Sequence, residues 1–90
     1  MVRKIGWTSL SLKDLLEIKT YIQRDNPKAA KREAQRIRKS VDRLARFPES
    51  GRKSKDIPFV RELISGNYRL FYRMHNSQIE ILRVYHGKRS

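Results

Sequence analysis

The chain has 90 residues, of which 22 are Lys or Arg and 9 are Asp or Glu, so its formal net charge at pH 7 is +13. This length suits one domain over residues 1–90, and its core is only marginally stable by itself, because about 60–65% of the unfolded surface is buried at this size. The chain contains no cysteine, which excludes disulfides, thiol catalysis and cysteine-based metal sites. The charge predicts an anionic or nucleic-acid-associated partner, because it attracts polyanions over about 8–10 Å at physiological salt.

The first residues and the histidine content bear on secretion, membrane insertion and metal binding. The N-terminus is charged from Arg3 onward and lacks the apolar segment of a signal peptide. No stretch approaches the roughly 20 apolar residues that a membrane span needs. Because only His75 and His86 offer imidazole, a structural zinc site is not expected. We therefore expect a cytoplasmic protein with no membrane partner, no metal and no small-molecule cofactor.

The first predicted elements are a short strand over about Val2–Trp7 and a helix over about Thr8–Arg24. In the helix, apolar residues recur every three or four positions, which is the spacing of one helical face. Its start resembles a capping box at Ser11–Asp14, with Asp in place of the usual Glu.

A second helix is predicted over about Pro27–Arg46, with Asn26 as its cap and Pro27 at its first position. Its apolar residues form one stripe, at Ala30, Ala34, Ile37, Val41 and Leu44. The rest of its surface is crowded with lysine and arginine. Two amphipathic helices joined by so short a break are expected to form an antiparallel hairpin.

Strand signals occupy the last third of the chain. A basic loop without periodicity, Arg52–Pro58, precedes three segments rich in β-branched and aromatic residues: Phe59–Leu63, Tyr68–Met74 and Ile79–Tyr85. The order of elements predicts an α+β fold, in which the N-terminal strand is followed by a helical hairpin packed on one face of a small antiparallel sheet.

The two faces of this sheet are predicted to differ. If Asn76-Ser77 forms a two-residue turn, Tyr72 pairs with Ile81 and Phe71 with Leu82. One face then carries core side chains, namely Leu70, Tyr72, Met74, Ile79 and Ile81. The other face mixes cations, one acid, one imidazole and apolar residues, namely Arg69, Phe71, Arg73, Glu80, Leu82, Val84 and His86. This second face is the candidate functional surface.

Nearly the whole chain resembles the RelE/ParE superfamily of bacterial toxins, and the ParE branch most closely. The segments that carry the resemblance are Trp7-Thr8, Asp14–Ile18, Tyr21-Ile22, Asn26–Ala30, Leu44–Arg52, Arg61–Leu63, Gly66–Arg73 and Ile79–Gly87. The resemblance implies a toxin of a type II toxin–antitoxin pair, silenced by a cognate antitoxin that wraps its surface. ParE-type members poison DNA gyrase, whereas RelE-type members are endoribonucleases that cut messenger RNA in the ribosome.

The resemblance also suggests site residues. Arg69 stands where RelE-like nucleases carry a phosphate-binding arginine, Arg61 lies near another such position, and His86 matches a histidine found near the C-terminus of some of them. Gly87 stands where such nucleases can carry a catalytic tyrosine. His-Gly followed by basic residues is common in ParE-like chains, and His86–Arg89 has this pattern.

We interpret the chain as a ParE-like toxin that inhibits DNA gyrase by binding. Its predicted target-binding residues are Arg69, Arg73, His86, Lys88 and Arg89. The first alternative is a RelE-like endoribonuclease that acts on messenger RNA in the ribosome; its catalytic residues would be Arg61, Arg69 and His86, and Lys53 and Lys55 could transfer protons if their pKa values were lowered. The second alternative is a non-toxic, basic nucleic-acid-binding module. A structural alternative for Arg73 is a cross-strand ion pair with Glu80.

Overall fold

A computed structural model of the protein describes residues 2–87. In chain order, the elements are β1 (Lys4–Trp7), α1 (Ser9–Gln23), α2 (Pro27–Leu44), β2 (Arg52–Lys53), β3 (Val60–Ser65), β4 (Tyr68–His75) and β5 (Gln78–His86). The strands form one sheet in the order β1-β5-β4-β3-β2, and the two helices pack on it. The predicted α+β fold is therefore confirmed. Neither α1 nor α2 is long and apolar enough to cross a membrane.

The helix starts follow from local capping. Asn26 caps α2 by accepting a hydrogen bond from the amide of Ala29 at 3.1 Å, and Pro27 occupies the first helical position, as predicted. The cap of α1 is Thr8, whose hydroxyl accepts from the Ser11 amide at 3.1 Å. The predicted capping box was wrong, because the Asp14 carboxylate bonds to β5 instead of the helix start.

The sheet is mixed, and two of its pairings were not predicted. β1 runs parallel to β5, with Ile5 opposite Ile79. These strands lie at the two ends of the chain, so no local pattern indicates their pairing. The segment predicted as a basic loop contributes Arg52 and Lys53 to β2, which pairs with β3. A two-residue strand is too short to show an alternating pattern.

The register of β4 and β5 agrees with the prediction on one side of a β-bulge and differs on the other. Tyr72 pairs with Ile81 as predicted, but Phe71 pairs with Arg83, so Leu82 is an extra residue on β5. An extra residue reverses the alternation of side chains beyond it. Val84 and His86 therefore lie on the face that carries the helices, and their predicted assignment to the opposite face was wrong.

The core lies between the helices and this face of the sheet. Its buried side chains are Leu15 from α1, Ile37, Val41 and Leu44 from α2, and Tyr68, Leu70, Tyr72, Ile79, Ile81 and Val84 from the sheet. All of the apolar stripe predicted for the second helix is buried. Met74, which was predicted to be in the core, is 40% exposed beside the β4–β5 turn. Burial of this apolar area stabilises the packing of the helices on the sheet by about 25 cal/mol for each Å² removed from water.

Candidate functional site

The sheet face opposite the helices, which we call the outer face, combines arginines, aromatic rings and two glutamates. By register and alternation it carries Arg52, Glu62, Arg69, Phe71, Arg73, Glu80, Arg83 and Tyr85. The rings of Phe71 and Tyr85 meet edge to face at 5.7 Å between centroids. The guanidinium of Arg83 lies 4.7 Å from the Tyr85 ring centre, and that of Arg69 lies 5.8 Å from the Phe71 ring centre. These contacts hold the side chains of the outer face in defined positions.

Arg69 is engaged by a buried carboxylate on the neighbouring strand. Its Nε donates a hydrogen bond to Glu62 Oε1, and Arg52 Nη2 lies 3.6 Å from Glu62 Oε2. The Glu62 side chain is only 8% exposed. The hydrogen bond from Arg69 lowers the pKa of Glu62 below its ordinary value, although burial acts in the opposite direction. The charge of Arg69 is therefore compensated inside the protein.

Arg73 also has a partner on the outer face. Its Nε donates to Glu80 Oε1 at 2.7 Å, and the two residues stand opposite each other on β4 and β5. The cross-strand ion pair that was the structural alternative for Arg73 is thus present. Both side chains are partly exposed, so the pair contributes little stability and leaves Arg73 accessible.

Arg61 supports a turn and does not join Arg69 on the outer face. It is paired with Tyr72, on the helix side of the sheet, and its Nη1 donates to the carbonyl of Gly51 at 2.7 Å. The Tyr72 hydroxyl donates to the carbonyl of Pro48 at 2.8 Å and accepts from the Gly51 amide at 2.9 Å. Burial raises the pKa of Tyr72. The turn between α2 and β2 is consequently attached to the sheet through two side chains.

His86 lies away from the predicted cationic surface. It faces Tyr68, and the two rings meet edge to face at 5.3 Å. With Tyr21 of α1 it lines a cleft of about 550 Å³ between α1 and the C-terminal half of β5. The prediction that His86 shares a face with Arg69 and Arg73 was wrong, because the bulge at Leu82 turns it over.

The residues around the C-terminal end of β5 were also singled out in the sequence. The Gly87 amide donates to the Asn67 carbonyl, and a Cβ atom on Gly87 would lie 3.0 Å from that oxygen. A side chain at this position would thus press on the β3–β4 turn. Lys88 and Arg89, the other predicted target-binding residues, lie outside the described residues.

An ion pair that joins α1 to β5 had no sequence signal. Asp14 accepts hydrogen bonds from Arg83 Nε at 2.8 Å and Nη2 at 3.0 Å, and from the Val84 amide at 2.9 Å. β1 pairs with β5 only as far as Ile81. The acceptor for the Val84 amide therefore comes from Asp14 of α1 and not from a further residue of β1. The hydrogen bond to Asp14 raises the pKa of Arg83. Arg83 and Asp14 are 69 residues apart, which explains why local patterns missed them.

The outward surface of α1 carries apolar side chains that the core does not use. Leu12, Leu16 and Tyr21 are each more than half exposed, and Leu16 and Tyr21 line a shallow groove along the helix. Exposed apolar side chains that cluster on one element are typical of a protein interface.

The cations of the outer face are largely paired with carboxylates. Each of the outer-face arginines of β4 and β5, namely Arg69, Arg73 and Arg83, has a carboxylate partner. The imidazole of His86 faces the other side of the sheet, whereas that of His75, two residues after Arg73 at the end of β4, lies by alternation on the outer face. Within residues 2–87, no group of His, Asp or Glu has the arrangement that could hold a metal ion.

Comparisons with known proteins identify the class to which this fold and surface belong. Residues 5–90 match the sequence model of the family described as the ParE toxin of type II toxin-antitoxin system, parDE. The chain therefore belongs to the ParE toxin family, within the ParE/RelE superfamily of type II toxin–antitoxin toxins.

Individual relatives cover almost the whole chain. The protein Y4kP of Sinorhizobium fredii is 42% identical over 87 residues, which are 94% of this chain and 88% of that protein. Toxin RelE2 of Caulobacter vibrioides is 34% identical over 87 residues, which are 96% of this chain and 97% of the toxin.

Solved structures show the same fold. A chain of the chromosomal ParDE system from P. aeruginosa superposes with a TM-score of 0.84 at 26% identity, covering 94% of this chain and 96% of the other. A chain of the toxin–antitoxin complex RelBE2 from Mycobacterium tuberculosis has a TM-score of 0.71 at 22% identity, covering 96% and 99%. The second similarity concerns the fold alone.

Proposed function

We propose that this protein is a ParE-like toxin that inhibits DNA gyrase by binding to it in the cytoplasm, and that a cognate antitoxin holds it inactive. The observation that carries the proposal is the Arg69–Glu62 pair on the outer face. Membership of the ParE family supports the same function. An arginine whose charge is compensated within the protein is suited to a contact with another protein. It is poorly suited to stabilising the negative charge of a reacting phosphate.

The alternative endoribonuclease requires more than this surface supplies. Cleavage of RNA by its own 2′-hydroxyl needs a base, an acid and cations free to bind the phosphate. In the described residues Arg61 is bound to a backbone carbonyl, Arg69 to Glu62, and His86 lies on the opposite side of the sheet. A binding inhibitor needs instead positioned aromatic and arginine side chains, which are the residues that dominate protein interfaces.

The antitoxin part of the proposal rests on the exposed apolar surface of α1. Leu12, Leu16 and Tyr21 are available to a partner, and the solved relatives come from ParDE and RelBE2 systems. A partner that binds the folded toxin stabilises it in proportion to its affinity and concentration. Purification with the product of the adjoining gene is therefore expected to raise the melting temperature sharply.

The decisive experiment compares two targets in purified systems. The toxin is added to gyrase in a supercoiling assay and to programmed ribosomes in a messenger RNA cleavage assay, each with and without the antitoxin. We expect inhibition of supercoiling that the antitoxin relieves, and intact messenger RNA. Ribosomal cleavage with unaffected gyrase would overturn the proposal in favour of the RelE-like alternative. Failure to arrest growth on expression would favour the non-toxic module.

A further inference from the structure

Phe59 occupies a conformation that no packing requirement explains. Its side chain is 93% exposed, and its backbone has φ +65°. A bulky residue is rarely found in this left-handed region, because its Cβ approaches the backbone too closely. Because this ring lies in water, it contributes no hydrophobic burial to the stability of the core. Strain of this kind tends to occur at functional positions.

The segment that carries Phe59, residues 54–59, is a hydrogen-bonded turn between β2 and β3, which we call the Phe59 turn. The Ser54 hydroxyl accepts from the amides of Ile57 at 3.1 Å and Asp56 at 3.3 Å. The Ser54 amide donates to the carbonyl of Val60 at 2.8 Å. The two ends of the turn are thus joined directly, and the strained backbone at Phe59 is held in place by its neighbours. The ring is presented on a constrained support.

The composition of the turn matches the anatomy of a protein interface. The turn carries two exposed apolar side chains, those of Phe59 and Ile57, and two exposed charged ones, those of Lys55 and Asp56, with Lys53 of β2 close by in the chain. Interfaces commonly have an apolar centre that is excluded from water and a polar rim. Sites for single-stranded nucleic acid use several rings along a groove, whereas this turn has one ring beside an aliphatic side chain. The partner that fits is therefore a protein with an apolar pocket.

The position of the turn separates it from the surface assigned to the antitoxin. The sheet order places β2 and β3 at the edge opposite β1, whereas α1 packs against β5. β3 and β5 are separated by β4, so they lie about 10 Å apart. The exposed apolar residues of α1 and the Phe59 turn thus lie toward opposite edges of the sheet.

We infer that Phe59 is an apolar anchor that inserts into a pocket of the enzyme that the toxin inhibits. This inference rests on the proposed function, in which that enzyme is gyrase. A preformed aromatic anchor loses little conformational freedom on binding and buries about 150–250 Å². The strain at Phe59 is thereby explained as the cost of presenting the ring before the target arrives.

The test uses Phe59→Gly, because glycine adopts φ +65° without a steric penalty. The toxin concentration that half-inhibits gyrase is expected to rise at least about 30-fold, the loss typical of an aromatic hot spot. The melting temperature is expected to stay equal or rise. A merely structural residue would give the opposite combination, because its loss would lower the melting temperature together with activity. Phe59→Tyr keeps the ring and is expected to retain inhibition within about threefold.

Phe47→Ala is the matched control, because Phe47 is also an exposed phenylalanine in a loop. It is expected to inhibit gyrase like the natural chain. Antitoxin affinity is measured for all variants and is expected to be unchanged. Equal inhibition by the natural chain and Phe59→Gly would overturn the anchor and leave the proposed function standing. A natural chain that leaves gyrase unaffected would overturn both. Loss of antitoxin binding in Phe59→Gly, with inhibition retained, would show that the turn serves the antitoxin and would also overturn the anchor.

Discussion

Arg69 and Glu62 stand on adjacent strands of the outer face, and the arginine Nε donates directly to a carboxylate that is almost fully buried. Arg69 is therefore expected to contribute to stability as well as being a candidate contact. Arg69→Ala is expected to lower the free energy of unfolding by about 1–3 kcal/mol, because Glu62 keeps only the more distant Arg52. Urea unfolding at pH 7 measures this loss.

The contact role of Arg69 can be separated from its structural role with a double variant. Arg69→Ala combined with Glu62→Gln removes the unpaired charge, and it is expected to recover more than half of the lost stability. If Arg69 also contacts the target, the double variant stays inactive against gyrase while its stability recovers. Recovery of inhibition together with stability would show that Arg69 acts only through the fold.

The same ion pair predicts a pH dependence. The folded-state pKa of Glu62 is below its ordinary value of 4.5, so its ionised form stabilises the native state above pH 4.5. This contribution is lost as the pH falls through the lower folded-state pKa. We expect the unfolding free energy of the natural chain to decrease more steeply below pH 4.5 than that of Glu62→Gln. Parallel curves for the two proteins would contradict this expectation.

Asp14 is expected to matter more than other acidic residues on the helices. Asp14→Ala leaves both the Arg83 guanidinium and the Val84 amide without their acceptor. The expected loss is about 2–3 kcal/mol, with faster hydrogen exchange at the Val84 amide. The control is Asp42→Ala on α2, an exposed position where the expected change is within about 0.5 kcal/mol.

Gly51 and Gly6 differ in how closely other atoms approach them, so alanine substitutions at the two positions form a matched test of close packing. A Cβ on Gly51 would lie 2.6 Å from the Tyr72 hydroxyl and 2.8 Å from the Glu62 carbonyl, whereas a Cβ on Gly6 would meet nothing closer than 3.8 Å. Gly51→Ala is expected to destabilise the protein by about 2–3 kcal/mol. Gly6→Ala is expected to leave stability unchanged or slightly improved. Thermal unfolding of both variants checks the difference.

His86→Ala distinguishes the proposed mechanism from the nuclease alternative. A binding inhibitor is expected to lose about 1 kcal/mol of stability through the Tyr68 contact, with little change in gyrase inhibition. An endoribonuclease that used His86 as acid or base would lose about 10²–10⁴-fold in cleavage. Single-turnover cleavage on programmed ribosomes, beside supercoiling by gyrase, measures both. Robust cleavage that collapses in His86→Ala would refute binding inhibition.

The helices and the strands of the C-terminal meander could be predicted because their signals are local. The apolar stripe from Ala30 to Leu44 has the helical period, and Asn26 and Pro27 specify the start of α2 through neighbouring backbone groups. The two-residue turn at Asn76-Ser77 was enough to predict the Tyr72–Ile81 pair and, with it, the Arg73–Glu80 ion pair.

The site depended on contacts that only the tertiary structure decided. The bulge at Leu82 occurs where β1 ends and α1 takes its place along β5, with Asp14 bound to the Val84 amide. The parallel pairing of β1 with β5 joins residues more than 70 positions apart. A single extra residue in a strand exchanges the two faces beyond it, and this exchange moved His86 away from Arg69. Alternation along one segment determines which residues share a face, but a contact made by another part of the chain can interrupt that alternation.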